Sequence, residues 1–122
     1  MDTRILVSTD VSGGSLRQLI EDASSRFGVE RLAVGAKRIA MDFPLPCHTG
    51  VGMEISEDRL SELRRRYAAQ VFFSDSLCAK YFTYRADRTL HLVLFDDAET
   101  IRSKERLAQE LGITDFFVLY SP

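Results

Sequence analysis

The sequence predicts an α/β fold built from parallel βα units that carries an antiparallel insertion. Three patterns support this prediction. A strand, a helix and a strand alternate near the N-terminus, three short β-rich runs follow in the second half, and a capped helix leads into a final apolar run. Strands joined through a helix by such short connections are parallel. The 122 residues are enough for one domain with one core.

The first strand–helix–strand unit has clear boundaries. Residues 4–9 are β-rich and end where Ser, Asp and Gly residues begin. A helix then runs to Gly28, a common C-terminal stop, with these apolar residues at helical spacing: Leu16, Leu19, Ile20, Ala23 and Phe27. The second strand covers residues 31–43 with an interruption at Lys37-Arg38. The proline-rich segment 44–46 is expected to end regular pairing.

The insertion is predicted to contain one helix and three strands. Residues 44–55 read as a loop, and Ser56 with two following acidic residues is a good helix start. The buried side of that helix consists of Leu60, Leu63 and Tyr67. Three β-rich runs follow at 70–73, 80–84 and 90–95. A tight turn between the last two predicts an antiparallel hairpin.

A final helix and strand complete the predicted fold. Asp97 caps the helix and Gly112 stops it. The run 115–120 is almost wholly apolar, which is typical of a central buried strand.

The loop at residues 10–15, DVSGGS, is similar in composition to a phosphate-binding loop. A Walker loop requires Lys followed by Ser or Thr, and a dinucleotide fingerprint requires G-x-G-x-x-G; the sequence contains neither. Asp10 at the mouth of the loop would also repel a phosphate. We therefore interpret the segment as a strand-to-helix turn in which Ser12 or Ser15 caps the helix.

Composition limits the classes of partner. The net charge of −2, from 16 basic and 18 acidic residues, gives no broad basic field, so we expect no nucleic-acid partner. No apolar stretch is long enough for a membrane span, and the N-terminus does not resemble a signal peptide. Two cysteines are too few for a disulfide scaffold and fit a reducing compartment. These features predict a cytoplasmic protein without a membrane partner.

Metal binding and nucleophilic catalysis have weak support. Cys47, His48, Cys78 and His91 are suitable zinc ligands, but their spacing matches no known zinc motif. We therefore expect free thiols, no metal and no cofactor. A G-x-S-x-G elbow for a Ser-His-Asp site is also absent from the sequence.

Two aspartates follow the first two predicted strands. Asp10 ends the first strand and Asp42 ends the second. Because the carboxyl ends of parallel strands face a common crevice, these two are candidate catalytic carboxylates. The alternative is that each aspartate caps its loop.

Residues 81–104, YFTYRADRTLHLVLFDDAETIRSK, resemble the C-terminal part of family 18 glycoside hydrolases, in the bacterial branch that includes spore peptidoglycan hydrolases. That branch carries a segment close to YFxY, a short turn and then HxVWFEDAxSIxxK. The matching residues are Tyr81, Phe82, Tyr84, His91, Val93, Phe95, Asp97, Ala98, Ile101 and Lys104. Residues 35–46, GAKRIAMDFPLP, are similar to the family's GIPLYGYDWxLP. Residues 7–10 fall on a barrel strand written MxYD.

The resemblance implies a partial TIM barrel, limited to the last three of the family's eight strands and its inserted α+β subdomain. On this alignment one domain consists of a barrel-like portion, residues 1–46 and 97–122, and an inserted subdomain, residues 47–96. The family's acid motif DxxDxE does not occur in the sequence. Thr9 stands where the family has a substrate-contacting Tyr, and Leu119 where it has the Trp of the sugar site.

These departures predict a non-catalytic relative that binds a glycan or a protein partner, because the family mechanism needs the Glu of the missing motif to protonate the glycosidic oxygen. Two alternatives stay open: a small hydrolase with a rebuilt site that uses Asp10 and Asp42, and a purely structural or interaction protein. The residues expected to contact a glycan are Tyr81, Tyr84, His91 and Phe43. For the aromatic cluster at 81–84, the alternative is a place in the core of the insertion.

A partial barrel of only three strands also leads us to expect self-association. The first and last strands each lose a neighbour, and the apolar run 116–120 is an aggregation site unless it is paired or covered. We expect a symmetric dimer with its contact at the strand near residues 4–9 or the one near 115–120. The alternative is a monomer whose insertion hairpin covers the exposed face.

Overall fold

The computed structural model describes residues 5–9, 15–46 and 52–119. Within these ranges the chain forms three α-helices and eight strands. The helices are α1 (Leu16–Phe27), α2 (Glu57–Arg66) and α3 (Ala98–Glu110). The strands are β1 (Ile5–Ser8), β2 (Leu32–Lys37), β3 (Ala40–Leu45), β4 (Met53–Glu54), β5 (Phe72–Ser74), β6 (Ala79–Ala86), β7 (Thr89–Phe95) and β8 (Asp115–Leu119).

The strands form two sheets. The parallel sheet has the order β1-β2-β8, and the antiparallel sheet has the order β4-β3-β7-β6-β5. β1 and β2 are connected through α1 and pair in parallel, which confirms the predicted strand–helix–strand unit. β6 and β7 pair antiparallel around a turn in which Asp87 and Arg88 have positive φ, which confirms the predicted hairpin.

Helix α1 packs on the parallel sheet through a short apolar stripe. The Ser15 hydroxyl accepts a hydrogen bond from the Gln18 amide at 3.3 Å, so Ser15 is the predicted helix cap. Leu16 and Ile20 are completely buried. They belong to a core cluster that also contains Val7, Leu32, Val34, Cys78, Leu107, Ala108 and Ile113. The helix ends at Gly28, whose φ of 85° lies in the region that favours glycine.

Side chains of the antiparallel sheet alternate between two faces. The helix-covered face packs against Leu60 and Leu63 of α2, whose predicted start at Ser56 is confirmed by a cap. This face contains Ala40, Phe82, Tyr84, Val93 and Phe95. The opposite face carries a separate cluster of Phe43, Ala79 and Leu94, with Met41, Tyr81 and Leu92 packed against it. Each face of the antiparallel sheet therefore has its own apolar cluster.

The prediction of a single strand over residues 31–43 is wrong. The interruption at Lys37-Arg38 separates two strands, and the second, β3, pairs antiparallel with β7. Pro44 lies inside β3 although it was expected to end pairing. Among the described residues, β4 pairs with β3 only at Met41 and Asp42, so no described carbonyl group on that side lacks the N–H that proline cannot donate. The chain thus changes sheets between residues 37 and 40, and the division proposed at residue 46 stays a prediction.

The apolar composition of the last strand predicted a central position in the sheet, and this prediction is wrong for the described residues. β8 pairs with β2 on one side and is an outer strand of the parallel sheet among the described residues. Phe117 is 53% exposed and Val118 is 38% exposed. An apolar run indicates that a strand is suited to burial, but it does not show whether a neighbouring strand exists in the same chain.

A buried ion pair fixes the junction between the two sheets. The Lys104 ammonium lies 2.7 and 2.8 Å from the two carboxylate oxygens of Asp96. The same carboxylate accepts from the Thr100 hydroxyl at 2.7 Å and from the Ile39 amide at 3.2 Å. Asp97 caps α3, as predicted, in a capping box with Thr100. These contacts bind the start of α3 to the segment that connects β2 with β3.

None of the helices in the described part of the chain is long and apolar enough to cross a membrane.

Candidate functional site

A polar cluster on the helix-covered face joins three strands. Asp42 of β3 accepts hydrogen bonds at both carboxylate oxygens: the Tyr84 hydroxyl of β6 donates to Oδ2, and His91 Nδ1 of β7 lies 2.8 Å from Oδ1. The His91 ring stacks on the Tyr84 ring, with centroids 4.7 Å apart and planes 11° from parallel. Three of the site residues that the sequence predicts therefore lie together. We call this group the Asp42 cluster.

Strand register brings the three side chains to one face. On β7, His91 lies opposite Tyr84 of β6 on one side and opposite Pro44 of β3 on the other. Asp42 is two residues from Pro44 and so projects from the same face. Tyr67, just beyond α2, packs on Tyr84 with ring centroids 4.8 Å apart. Tyr67 was predicted as a buried residue of α2, and its helical spacing gives no sign of a contact with this site.

Burial and hydrogen bonding keep the Tyr84 hydroxyl protonated. Desolvation raises the pKa of Tyr84 well above its ordinary value, and the hydrogen bond to Asp42 raises it further. The phenol is therefore a donor across the physiological pH range. A carboxylate accepts but does not donate, so Nδ1 of His91 carries the hydrogen shared with Asp42.

The cluster is partly open to solvent. The side chains of His91 and Asp42 are 23% and 13% exposed, whereas Tyr84 is buried. His91 Nε2 makes no hydrogen bond to another described residue. Arg59 contributes positive potential at Tyr84, but its guanidinium is bound to Glu62 at 3.1 Å. The accessible polar groups are therefore the imidazole edge and the carboxylate.

The other two predicted glycan contacts lie on the opposite face. Phe43 and Tyr81 belong to the apolar cluster of that face, and Phe43 is buried. Tyr81 stacks on Phe72 of β5 with ring centroids 5.5 Å apart, and Phe72 is 46% exposed. One surface cannot include Tyr81 and Phe43 together with His91 and Tyr84. Successive residues of a strand point to opposite faces, and the register places the two pairs on different faces of the sheet.

Other candidates are buried or fall outside the described residues. Asp42 was expected at the end of a parallel strand, but it lies inside β3 of the antiparallel sheet. Asp10 lies outside the described residues, so its proximity to Asp42 stays a prediction, and so do the ligand roles considered for Cys47 and His48. Thr9 is completely buried, and its hydroxyl has no hydrogen-bond partner in the described ranges. Among the described residues no three His, Cys, Asp or Glu side chains are grouped to hold a metal ion.

Cys78 is a free, buried thiol. Desolvation by burial raises its pKa, although the nearby ammonium of Lys104 opposes this effect. The thiolate form that attacks electrophiles or binds metal is therefore disfavoured, and Cys78 has the properties of a core residue.

The Asp42 cluster is suited to recognition through hydrogen bonds. Asp42 is held by a phenol and an imidazole, and those contacts fix the orientation of the imidazole ring. An oriented His–Asp pair can accept a hydrogen bond from a ligand at Nε2.

Parallel βα units that surround an inserted antiparallel sheet define the structure as part of a TIM barrel with an α+β insertion. The fold is similar to that of the spore cortex-lytic enzyme SleL of Bacillus cereus, with a TM-score of 0.75, 21% identity and coverage of 98% of this chain and 32% of that chain. SleL of Bacillus megaterium QM B1551 gives a TM-score of 0.74 and 24% identity, covering 97% and 30% of the two chains.

A chitinase from Chromobacterium violaceum ATCC 12472 is also similar, with a TM-score of 0.72, 19% identity and coverage of 96% of this chain and 40% of that chain. Compared with the two SleL structures, this chain spans about a third of their length. No family model matches the sequence, and no curated protein matches it. The predicted resemblance to family 18 glycoside hydrolases is confirmed in the fold.

Proposed function

We propose that this chain is a non-catalytic glycan-binding module with the fold of a family 18 glycoside hydrolase fragment, and that the Asp42 cluster is its binding site. The observation that carries the proposal is the oriented imidazole. Asp42 and Tyr84 hold the ring of the partly exposed His91 while its Nε2 stays free of partners among the described residues. The proteins of similar fold include a cortex-lytic enzyme and a chitinase, which favours a saccharide ligand.

Two features favour binding over hydrolysis. The sequence lacks the DxxDxE motif, so the acid of the family mechanism is missing from these 122 residues. Asp42 accepts hydrogen bonds at both oxygens from Tyr84 and His91, so its carboxylate is already engaged within the protein. The hydrolase with a rebuilt Asp10 and Asp42 site stays the alternative.

An N-acetylglucosamine tetramer is expected to bind without being cleaved. A His91→Ala variant should bind it about tenfold more weakly, since loss of a hydrogen bond in a partly buried site costs on the order of 1–2 kcal/mol. Isothermal titration calorimetry measures the dissociation constants, and a fluorogenic oligomer measures turnover.

Thr83→Ala is the matched control, because Thr83 is exposed on β6 and projects from the opposite face. This variant should bind the tetramer as the parent does. Turnover that is lost in Asp42→Ala would replace the proposal with the rebuilt-site hydrolase, and absence of tetramer binding would contradict it.

We also propose that the protein forms a homodimer through β8. The strand is an outer strand of the parallel sheet in the described ranges, and Phe117 projects from the face away from α1 and α3. More than half of that phenylalanine is exposed. An apolar outer strand tends to pair with another chain, and a second copy supplies the same strand in a symmetric contact.

Light scattering at micromolar concentration is expected to give twice the mass of one chain. Phe117→Asp should give a single-chain mass, because a carboxylate cannot be buried in an apolar contact without a partner. Phe72→Asp is the control, since Phe72 is exposed to a similar degree on the antiparallel sheet, and it should remain dimeric. A parent protein with the mass of one chain would contradict the dimer.

A further inference from the structure

The orientation of His91 determines which hydrogen-bonding group it offers. Nδ1 donates to the Asp42 carboxylate at 2.8 Å, and the ring plane is held nearly parallel to Tyr84. In a neutral imidazole whose Nδ1 carries the hydrogen, Nε2 is an acceptor. A ligand that meets Nε2 of the neutral ring must bring a hydrogen-bond donor.

The same site contains an acidic group, the carboxylate of Asp42. The groups that face Asp42 are the neutral phenol of Tyr84 on β6 and the imidazole of His91 on β7. On α2, Arg59 adds positive potential near Tyr84, but its ion pair with Glu62 offsets that charge. Asp42 is 13% exposed, so solvent screens its charge less than that of a surface carboxylate.

We propose that the Asp42 cluster selects saccharides that present hydrogen-bond donors and carry no negative charge, and that it rejects sugar acids. This inference rests on the glycan-binding function proposed above. Hydroxyl groups, acetamido N–H groups and protonated amines suit an acceptor nitrogen beside a carboxylate. A uronic acid brings a like charge, and like charges placed together oppose binding.

Calorimetry with three matched ligands tests the inference: the N-acetylglucosamine tetramer, the same tetramer with its primary hydroxyls oxidised to carboxylates, and the de-N-acetylated tetramer. At about pH 8, where the carboxylates of the oxidised ligand are ionised, this ligand should bind about tenfold more weakly than the parent tetramer. The de-N-acetylated tetramer should bind at least as tightly as the parent tetramer.

An Asp42→Asn variant tests whether this carboxylate causes the weaker binding of the oxidised tetramer. The ratio of the two dissociation constants, oxidised over parent tetramer, should fall toward one, whatever the absolute affinities are. Glu105→Gln removes an exposed carboxylate from α3 and should leave the ratio unchanged.

Each possible outcome decides the inference. Equal binding of the oxidised and parent tetramers, or an unchanged ratio in Asp42→Asn, would overturn the charge selection and leave the glycan-binding function standing. Failure of all three ligands to bind would overturn both proposals.

Discussion

A Lys104→Met variant is expected to lose about 3–5 kcal/mol of unfolding free energy, because it leaves a buried carboxylate without its cation. The Lys104 and Asp96 side chains are 1% and 0% exposed, and their charged atoms are 2.7 Å apart. Methionine fills a similar volume, so the loss reports the missing charge rather than a cavity. Chemical denaturation followed by circular dichroism measures the difference.

Lys80→Met is the matched control. Lys80 also lies 2.7 Å from a carboxylate, that of Asp97, but this pair is 21% and 31% exposed. Burial opposes ionisation of Asp97, yet hydrogen bonds from Lys80 and the Thr100 amide hold its pKa below the ordinary value. The Lys80–Asp97 pair therefore persists at neutral pH, and its loss should cost about 1 kcal/mol or less. Equal losses of unfolding free energy in the two variants would contradict the larger contribution assigned to the buried Asp96–Lys104 ion pair.

A Phe82→Ala variant should be destabilised by about 3–5 kcal/mol, since it removes a fully buried aromatic side chain and leaves a cavity. Phe82 has no exposed surface and packs edge-to-face on Phe95, with ring centroids 5.9 Å apart. The free energy of unfolding from urea titration measures the loss.

Phe72→Ala provides the comparison on the same sheet. Phe72 is 46% exposed and stacks on Tyr81, so its removal should cost about 1 kcal/mol. A loss at Phe72 as large as that at Phe82 would contradict the assignment of the helix-covered face as the core of the antiparallel sheet.

Helix starts were predictable because their signals are local. Ser15, Ser56 and Asp97 are followed by helical patterns in the sequence, and each caps its helix in the structure. Sheet membership was not predictable in the same way. Nothing within residues 31–43 shows that β3 pairs with β7, some fifty residues later, because pairing depends on distant partners.

The candidate site was predictable in its residues but not in its geometry. Asp42 was expected as a catalytic carboxylate, and Tyr84 and His91 as glycan contacts. Their hydrogen bonds depend on the register of three strands. The alternation that separates Tyr81 from Tyr84 was visible in the sequence. The Asp96–Lys104 pair also has a sequence signal, since Thr100 and Lys104 lie four and eight residues after Asp96, which precedes the helix cap.

A nuclear magnetic resonance titration tests whether the Asp42 cluster is the glycan-binding site. Proton–nitrogen spectra of labelled protein are recorded as the N-acetylglucosamine tetramer is added. We expect the largest shift changes at Asp42, Tyr84, His91 and their neighbours in β3, β6 and β7. Shift changes confined to β1 and β8, or none at saturating tetramer, would contradict this expectation.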